Sequence, residues 1–403
     1  MPESEPFKGP GPPIAIFHYD INKDLEGYVP AAPSLLYFWL EDRPVGHIWL
    51  LTPHHIPQLR DAAASTIDVE ALLLARREAS AEWRSPLSTT VVICTRDRPD
   101  ALRRCLASFQ NQTRQADQML VVDNASKDES VRDIAREAGA DYLREERLGL
   151  DRARNAGALA ALGDIVLFTD DDVEPHPRWL ERMTNSFDAD HVAAVTGLVL
   201  PAELKTPAQQ HFERFWSFGR GYRRVDFGQE FFASDRTRGC PAWEIGAGAS
   251  MAFRRRVFDE VGLFDERLDV GAAGCSGDSE YWHRLLSAGW TCRYDPSAVS
   301  FHYHRRDDAA LARQLRAYMR GHAAALLVQF ERTGHLGNLR RALIYMPVFY
   351  IWRVVRFIAF GTTGRDQFLG QEIAGYIAGI LYYLRAPRPR RAPHAGPGAF
   401  PPR

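Results

Sequence analysis

Three consecutive carboxylates, Asp170, Asp171 and Asp172, are the residues of this sequence whose spacing most directly suggests chemistry. They follow the apolar run DIVLF, in the string LFTDDDVEP. Three adjacent carboxylates repel one another, and burying them without a counter-charge costs free energy. A divalent cation removes that cost, because Mg²⁺ and Mn²⁺ prefer oxygen ligands and commonly bind one or two carboxylates together with substrate phosphates. The string therefore predicts a metal site; the alternative is a solvated acidic turn.

Apolar runs alternate with helical patterns from Thr90 onward, and these elements must position the carboxylates. TVVIC (90–94), QMLVV (118–122), ADYLR (140–144) and DIVLF (164–168) have the apolar character of buried strands. Helical patterns separate them: one follows Asp97 and Pro99, and the others lie near 128–138 and over 150–162. This alternation predicts an α/β fold with a mostly parallel, Rossmann-like sheet flanked by helices.

Polar side chains follow the strands at the edge where ligands bind in such sheets. The first run is followed by Thr95, Arg96, Asp97 and Arg98, the second by Asp123 and Asn124, and the fourth by the three aspartates. We expect these clusters to lie close together. Their shared position favours a ligand site over an isolated acidic turn.

Composition restricts the class of protein. The chain has 403 residues, of which 45% are hydrophobic and 25% are charged, as is usual for a globular protein with one large domain or two domains. The formal net charge of −1 gives no support for a nucleic-acid partner. Five cysteines without a CxxC pair indicate reduced thiols, and the N-terminus has no secretory signal. We therefore expect a cytoplasmic protein.

Five ordered strings resemble the family 2 glycosyltransferases over about residues 88–305. They are TVVICTRDRPDALRRCLASFQNQ, VVDNASKDES, GLDRARNAGALAALGDIVLFTDDDVEP, IGAGASMAFRRRVFDEVGLFDERL and SGDSEYWHRLLSAGW. The resemblance implies a GT-A catalytic domain that transfers a sugar, with inversion, from a nucleotide-diphospho-sugar to an acceptor hydroxyl. The family favours UDP-sugars as donors. The implied acceptor is a saccharide or a lipid-linked molecule, as in cell-envelope polysaccharide biosynthesis.

The resemblance also implies roles for individual residues. The implied nucleotide-sugar contacts are Thr95, Arg96, Asp97, Asp123, Arg154, Asn155, Asp170, Asp171 and Gly248. Among them, Asp123 would hydrogen-bond the base, and Arg154 and Asn155 would support the nucleotide and its diphosphate. Asp171 or Asp172 would ligate the divalent cation, Mn²⁺ or Mg²⁺, and the run of three aspartates leaves this register open by one position.

Asp278 matches the catalytic aspartate of the family and would be the general base. The family usually has an acidic residue directly before it, and here Gly277 takes that place. An in-line displacement needs a base near the acceptor hydroxyl and a group that neutralises the leaving diphosphate. The alternative for Asp278 is an ordinary acidic residue at a helix N-terminus.

Several further residues are candidates with open alternatives. VSFHYHRRD places His302 and His304 on one face of an extended strand, so His304 or His302 could be a further metal ligand, or both could be a surface pair. Trp243, Glu244 and Glu280 are candidate acceptor contacts. Trp243 and Glu244 could equally be packing and surface residues.

The flanking segments complete the predicted organisation. We expect disorder over residues 1–13, a small N-terminal α+β domain over 14–85 with a β-hairpin at 35–51, and the catalytic domain over 88–305. A helical region at 306–385 and a disordered basic tail at 386–403 follow.

The helical region could contact a membrane. ALIYMPVFYIWRVVRFIAFG (342–361) is apolar and aromatic, but it contains Arg353 and Arg356, which favours an interfacial helix over a clean span. Basic residues beside apolar helices suit an anionic membrane surface, which predicts a peripheral position on the inner face of the cell membrane. The alternative is a helical subdomain packed on the catalytic core.

Two other functions use similar features. A nucleotidyltransferase would be expected to have a glycine-rich phosphate loop after the first strand, where the sequence is CTRDRPDAL. A non-catalytic carbohydrate-binding protein on the same fold would not need Asp278 and the three aspartates. A dehydrogenase is disfavoured, because no GxGxxG motif follows a strand.

Overall fold

The computed structural model describes residues 12–26, 30, 33–51, 58–79, 84–234, 237–361 and 363–386. In these ranges the strands are β1 (Ala15–Asp20), β2 (Ser34–Leu40), β3 (Arg43–Leu50), β4 (Thr89–Thr95), β5 (Gln118–Asn124), β6 (Asp141–Glu145), β7 (Ile165–Asp170), β8 (Val173–Pro175), β9 (Val192–Pro201), β10 (Val225–Phe227), β11 (Ser250–Arg254) and β12 (Thr291–His302). The predicted disordered segments at 1–13 and 386–403 lie outside the described residues, apart from positions 12, 13 and 386.

The helices in the same ranges are α1 (Leu59–Thr66), α2 (Val69–Ala79), α3 (Pro99–Phe109), α4 (Ser130–Glu137), α5 (Leu150–Ala160), α6 (Trp179–Asn185), α7 (Pro207–Trp216), α8 (Gln229–Ser234), α9 (Arg256–Glu260), α10 (Gly277–Ser287), α11 (Asp308–Thr333), α12 (Leu336–Arg340), α13 (Met346–Phe360) and α14 (Leu369–Arg385). Short 3₁₀ turns occupy Ala242–Glu244, Glu266–Leu268 and Gly364–Asp366. A π-helical turn at Arg341–Tyr345 joins α12 to α13.

The large sheet has nine strands in the order β10-β12-β9-β11-β7-β4-β5-β6, and β8 pairs with β12. The strands β6, β5, β4 and β7 are parallel, as the alternation of apolar runs and helices predicts. The other half of the sheet is mixed, because β11 runs antiparallel to both β7 and β9. The α/β class is confirmed, but the sheet is less parallel than expected.

Burial on both faces explains the continuous apolar run of β4. Successive side chains of a strand point to opposite faces of the sheet. Val91 and Ile93 share a core with the apolar face of α3, including Leu102 and Phe109. Val92 and Cys94 belong to the core on the other face, together with Ala153, Ala158 and their neighbours on α5. These two layers hold the carboxyl end of β4 in a fixed position.

The N-terminal sheet follows the same alternation and packs against the catalytic sheet. Strands β2 and β3 form the predicted antiparallel hairpin, and β1 adds to β2 in parallel. Leu35, Tyr37 and Trp39 join the core of the large sheet. The intervening residues of β2, Leu36 and Phe38, pack with α1 and α2.

Helices α11 and α14 form the centre of the C-terminal region, and their backbones approach closely. An added Cβ at Gly375 would lie 2.3 Å from the carbonyl oxygen of Arg316, and one at Gly379 would lie 2.2 Å from that of Arg320. Glycine at these two positions therefore allows the contact. The pair covers one side of the catalytic domain.

Helix α13 carries a large exposed apolar face. Ile351, Trp352 and Ile358 are between 60% and 77% exposed. Arg353 points the other way: it is buried and pairs with Asp366 at 2.9 Å and Glu372 at 2.7 Å. Arg356 is partly exposed, with its guanidinium 5.7 Å from the ring centroid of Trp352, and it also pairs with Asp366. Within the described residues, the run Leu336–Phe360 is the one helix long and apolar enough to span a bilayer by length and composition. Both arginines of α13 therefore have carboxylate partners.

Candidate functional site

The carboxyl ends of β4 and β7 form one wall of a cavity of about 1460 Å³. The loop before β11 and the start of α10 line the same cavity. The predicted site residues on these walls are Thr95, Arg96, Arg154, Asp170, Asp171, Asp172, Trp243, Glu244, Gly248 and Asp278. The fold therefore brings residues together that are up to 183 positions apart, from Thr95 to Asp278.

The three consecutive aspartates have different partners. The Asp170 carboxylate lies 3.5 Å from Nη2 of Arg154. Asp171 accepts hydrogen bonds from Thr95 Oγ1 at 2.7 Å and from Arg98 Nη1 at 2.9 Å. The same Arg98 nitrogen donates to Asp172 at 2.9 Å. The strand-to-turn change at the end of β7 thus directs Asp170 toward Arg154, and Asp171 and Asp172 toward Arg98.

Asp172 is surrounded by further cationic or protonatable groups. Its Oδ1 lies 3.4 Å from Nε2 of His302, and its Oδ2 lies 3.7 Å from Arg305 Nη1. Burial alone would raise the pKa of Asp172, but His302, Arg98 and Arg305 together hold it well below its ordinary value. Asp172 is therefore a carboxylate at neutral pH.

Asp170 and Asp171 differ from Asp172 in their acidity. Burial raises the pKa of Asp170, and Arg154 opposes the shift. Burial, with a smaller contribution from the charge of Asp172, raises the pKa of Asp171 to about 6, against the effect of Arg98. Because both shifts follow from exclusion of water, this end of the cavity is a low-dielectric environment that strengthens interactions with a bound anion or cation.

The donor atoms around Asp172 fit a hard divalent cation in chemical type. Carboxylate oxygens and an imidazole nitrogen are ligands that Mn²⁺ accepts, and Mg²⁺ and Mn²⁺ commonly need only one or two protein ligands beside a substrate diphosphate. Among the described residues, no group of three or more His, Cys, Asp or Glu side chains is arranged to hold a metal. Asp172 and His302 would be the protein ligands of such a cation, and Arg98 would have to release Asp172.

Asp278 lies at the start of α10 and lines the same cavity as the three aspartates. Ser276 precedes it with a positive φ of 80°, which turns the chain into the helix. Oδ2 of Asp278 accepts from the backbone N–H of Gly248 at 3.0 Å, and Oδ1 accepts from the N–H of Ser279 at 2.7 Å. An added Cβ at Gly248 would lie 2.8 Å from that Oδ2. The glycine lets the loop before β11 hold the carboxylate in place.

Asp151 belongs to the cavity wall, although the sequence analysis does not identify it. It is 2% exposed, and its Oδ1 accepts from Nη1 of Arg154 at 3.2 Å. Burial raises the pKa of Asp151 to about 7, the negative charges of Asp269 and Asp278 add to the shift, and Arg154 opposes it. The signal in the sequence is Asp151 itself, an acid three residues before Arg154 and on the same helix.

Three residues expected at the nucleotide lie off the cavity wall. Asp123 has no exposed surface, and its carboxylate accepts from Tyr142, Arg144 and the N–H of Ser126 at 2.8–2.9 Å. The expected contact of Asp123 with the base is therefore not available while these bonds persist.

The other two residues expected at the nucleotide, Asn155 and Asp97, form hydrogen bonds with the backbone of neighbouring segments. The side chain of Asn155 exchanges two hydrogen bonds with the backbone of Phe264, at 3.0 and 2.9 Å. Asp97 has a positive φ of 54° and accepts from the N–H of Lys127 at 2.9 Å. Both residues hold loops next to the cavity, and their expected contact with the nucleotide remains a prediction.

The expected roles of Glu280 and His304 are also corrected. Glu280 has no exposed surface, and its carboxylate pairs with Arg284 at 2.8 Å, so it cannot contact an acceptor. His304 lies behind His302: its Nδ1 is 2.9 Å from the Nδ1 of His302, and its Nε2 is 3.0 Å from Glu213. His302, and not His304, is the histidine on the cavity wall beside Asp172.

The same cavity is also lined by Arg313 and Gln314 of α11, by Tyr345 of the π-helical turn, and by Met346, Phe349 and Tyr350 of α13. Trp243 belongs to this lining, and the guanidinium of Arg341 lies 4.3 Å from its ring centroid. This part of the lining therefore combines aromatic and cationic groups.

Comparison with known proteins gives one match to a family model, described as glycosyl transferase family 2, over residues 90–262. The chain is 26% identical over 236 residues to the glycosyltransferase AglE of Haloferax volcanii, covering 56% of this chain and 70% of that protein. It is 29% identical over 270 residues to the pre-mycofactocin glycosyltransferase of Mycobacterium tuberculosis, covering 64% of this chain and 52% of that protein.

Among solved structures, the chain is similar to a mannosyltransferase from Pyrobaculum calidifontis in complex with GDP-Man and Mn²⁺. The TM-score is 0.47 and the sequence identity is 20%, over 80% of this chain and 96% of that chain.

Proposed function

Since the chain is a family 2 glycosyltransferase, with the family region at residues 90–262, we propose that it transfers a sugar with inversion from a nucleotide-diphospho-sugar to an acceptor hydroxyl. The observation that carries the proposal is that Asp278 and the three aspartates line one cavity. A donor diphosphate bound at the aspartates would present its sugar toward Asp278. This arrangement suits a single displacement without a covalent enzyme intermediate.

Asp278 would act as the general base. The N–H groups of Gly248 and Ser279 hold its two oxygens, so the carboxylate is oriented before the acceptor arrives. It would take the proton from the acceptor hydroxyl as the new glycosidic bond forms. Arg154, buried beside Asp170, would place a positive charge near the leaving diphosphate. A divalent cation held by Asp171 or Asp172 would neutralise charge on the same diphosphate.

A thermal-shift screen tests the donor proposal. We expect one or more nucleotide-sugars to raise the melting temperature in the presence of Mn²⁺, because a ligand at 100 times its Kd adds about 2.7 kcal/mol to the stability of the folded state. UDP- and GDP-sugars are tested separately, each with Mn²⁺ and with excess EDTA. We expect EDTA to abolish the shift and the transfer. Undiminished transfer after complete chelation would contradict the metal role of the aspartates.

We further propose that the acceptor is lipid-linked and that the protein binds a membrane surface through α13. The cavity that contains Asp278 is also lined by Met346, Phe349 and Tyr350 of α13. The exposed face of the same helix carries Ile351, Trp352 and Ile358. The ion pairs of Arg353 with Asp366 and Glu372 remove charge from the exposed side of this helix. An interfacial position would let an acceptor enter the cavity while its lipid remains in the membrane.

Vesicle flotation tests the membrane proposal. We expect the full-length protein to float with vesicles that contain anionic phospholipid, and the triple variant Ile351→Gln, Trp352→Gln, Ile358→Gln to lose most of this binding, because it removes exposed apolar surface from one face. The matched control is Leu159→Gln with Leu162→Gln, which are 73% and 77% exposed at the end of α5. Equal flotation of the triple variant and the control would refute the role of α13.

A further inference from the structure

Asp151 is a buried acid for which the proposed reaction provides no role. It lies in the first turn of α5 and on the cavity wall. Its backbone N–H donates to Oδ1 of Asp269 at 3.0 Å, and the N–H of Arg152 donates to the other oxygen of Asp269 at 3.1 Å. These two hydrogen bonds from the N-terminus of α5 to Asp269 fix the backbone of Asp151. The fold therefore sets the position of its carboxyl group.

The carboxyl group of Asp151 fills the space beside Gly277. A Cβ at position 277 would lie 1.9 Å from Oδ2 of Asp151 and 2.6 Å from its Cγ. Gly277 does not have a positive φ, so space, and not backbone conformation, requires glycine here. Gly277 also directly precedes Asp278 and begins α10. Asp151 therefore packs against the backbone that carries the proposed base.

The other oxygen of Asp151 holds Arg154. Nη1 of Arg154 donates to Asp151 at 3.2 Å, while Nη2 lies 3.5 Å from Asp170. An added Cβ at Gly248 would lie 3.0 Å from Arg154 Nη2 and 2.8 Å from Asp278 Oδ2, so Arg154 and Asp278 approach each other across this glycine. Arg154 is itself buried. Without the Asp151 carboxylate, its guanidinium would remain in this position only at a cost in free energy.

We propose that Asp151 is a positioning residue for the transfer: its carboxyl group holds Arg154 between Asp170 and Asp278 and occupies the space left by Gly277. The inference rests on the proposed function of Asp278 as the base. In family 2 glycosyltransferases an acidic residue usually precedes the catalytic aspartate, and here Gly277 takes that place. The proposed role of Asp151 accounts for this glycine, because α5 supplies a carboxyl group to the same volume.

A mutant cycle between positions 151 and 277 tests the inference. We expect Asp151→Ala to lower kcat about 100-fold with a smaller change in donor KM, because Arg154 loses its orientation. Gly277→Glu alone should also inactivate the enzyme through the clash with Asp151. The double variant Asp151→Ala, Gly277→Glu should recover at least about tenfold over Asp151→Ala, because the vacated space accepts a new carboxyl group. The matched control, Asp151→Ala with Gly277→Ala, fills the space without a carboxyl group and should not recover.

The isosteric variant Asp151→Asn provides a second readout if the alanine variants fold poorly. The charged and titratable groups around Asp151 are Arg154 on the same helix, Asp269 beside its N-terminus, Asp278 on α10, and the thiols of Cys94 on β4 and Cys275 before α10. Since the ionised form of Asp151 binds Arg154 more strongly, kcat/KM of the wild type should rise with pH near 7. We expect Asp151→Asn to have a lower kcat and to lack this rise.

Two outcomes would overturn the inference: a wild-type kcat and pH profile in Asp151→Asn, or equal activity of the two double variants. Asp278→Asn, assayed in parallel, distinguishes a wrong role for Asp151 from a wrong proposed function. If Asp278→Asn is inactive while Asp151→Asn behaves as the wild type, only the role of Asp151 is wrong. If Asp278→Asn is fully active, the assignment of the base fails first.

Discussion

Asp278→Asn is expected to lower kcat by about 100- to 10,000-fold, the range that a general base contributes, while donor affinity changes little. Asparagine has nearly the same shape, and its carbonyl oxygen can still accept from the N–H of Gly248, which donates to Asp278 at 3.0 Å. The loop before β11 should therefore stay in place. What is lost is the ability to accept the proton of the acceptor hydroxyl.

Steady-state transfer assays and donor titration by thermal shift measure the two quantities separately. The matched control is Asp133→Asn on α4, an acid whose side chain is 62% exposed and which does not line the cavity. We expect the control to keep full activity and a normal melting temperature. An undiminished kcat in Asp278→Asn, with the control also unchanged, would remove Asp278 from the mechanism and leave the other wall of the cavity without an assigned base.

The strand ends could be predicted from the sequence because their physical cause is local. A continuous apolar run such as 90–94 requires two buried faces, and the polar residues after it must then lie at the edge of the sheet. The structure has Thr95 and Asp170 at this edge, on adjacent parallel strands. The same argument did not distinguish polar residues that line the cavity from those that brace its loops, and Asp123 is of the second kind.

The remaining errors come from contacts between distant parts of the chain. The alternation of side chains along a strand would put His302 and His304 on the same face. It does not reach His304, because β12 ends at His302. The partners of Arg353 are Asp366 and Glu372, which lie 13 and 19 positions away and become neighbours only when α14 folds back. Asp151 on α5 lies beside Gly277 at the start of α10, although the two residues are 126 positions apart in the sequence. No periodicity within one element contains this information.

Asp172→Asn is expected to raise the Mn²⁺ concentration needed for half-maximal transfer by at least about 100-fold, and Asp171→Asn is expected to raise it much less. Asp171 lies behind Asp172: it is 5% exposed and accepts from the Thr95 hydroxyl at 2.7 Å. Asparagine at 171 can keep that bond through its carbonyl oxygen. Asp172 is the carboxylate next to His302, the other side chain at this end of the cavity that could ligate a metal.

Titration of metal-free protein with Mn²⁺, followed by the transfer rate, measures this difference and decides the register of the aspartates. Arg98 donates from one nitrogen to both Asp171 and Asp172, so either variant removes one of its two ion pairs, and loss of an Arg98 contact alone should affect both variants alike. A large effect confined to Asp172→Asn therefore identifies the metal ligand. The reverse result, with Asp171→Asn the more impaired in Mn²⁺ dependence at an unchanged melting temperature, would shift the register by one residue. In that case Asp172 would serve chiefly to hold Arg98, Arg305 and His302 at the rim of the donor site.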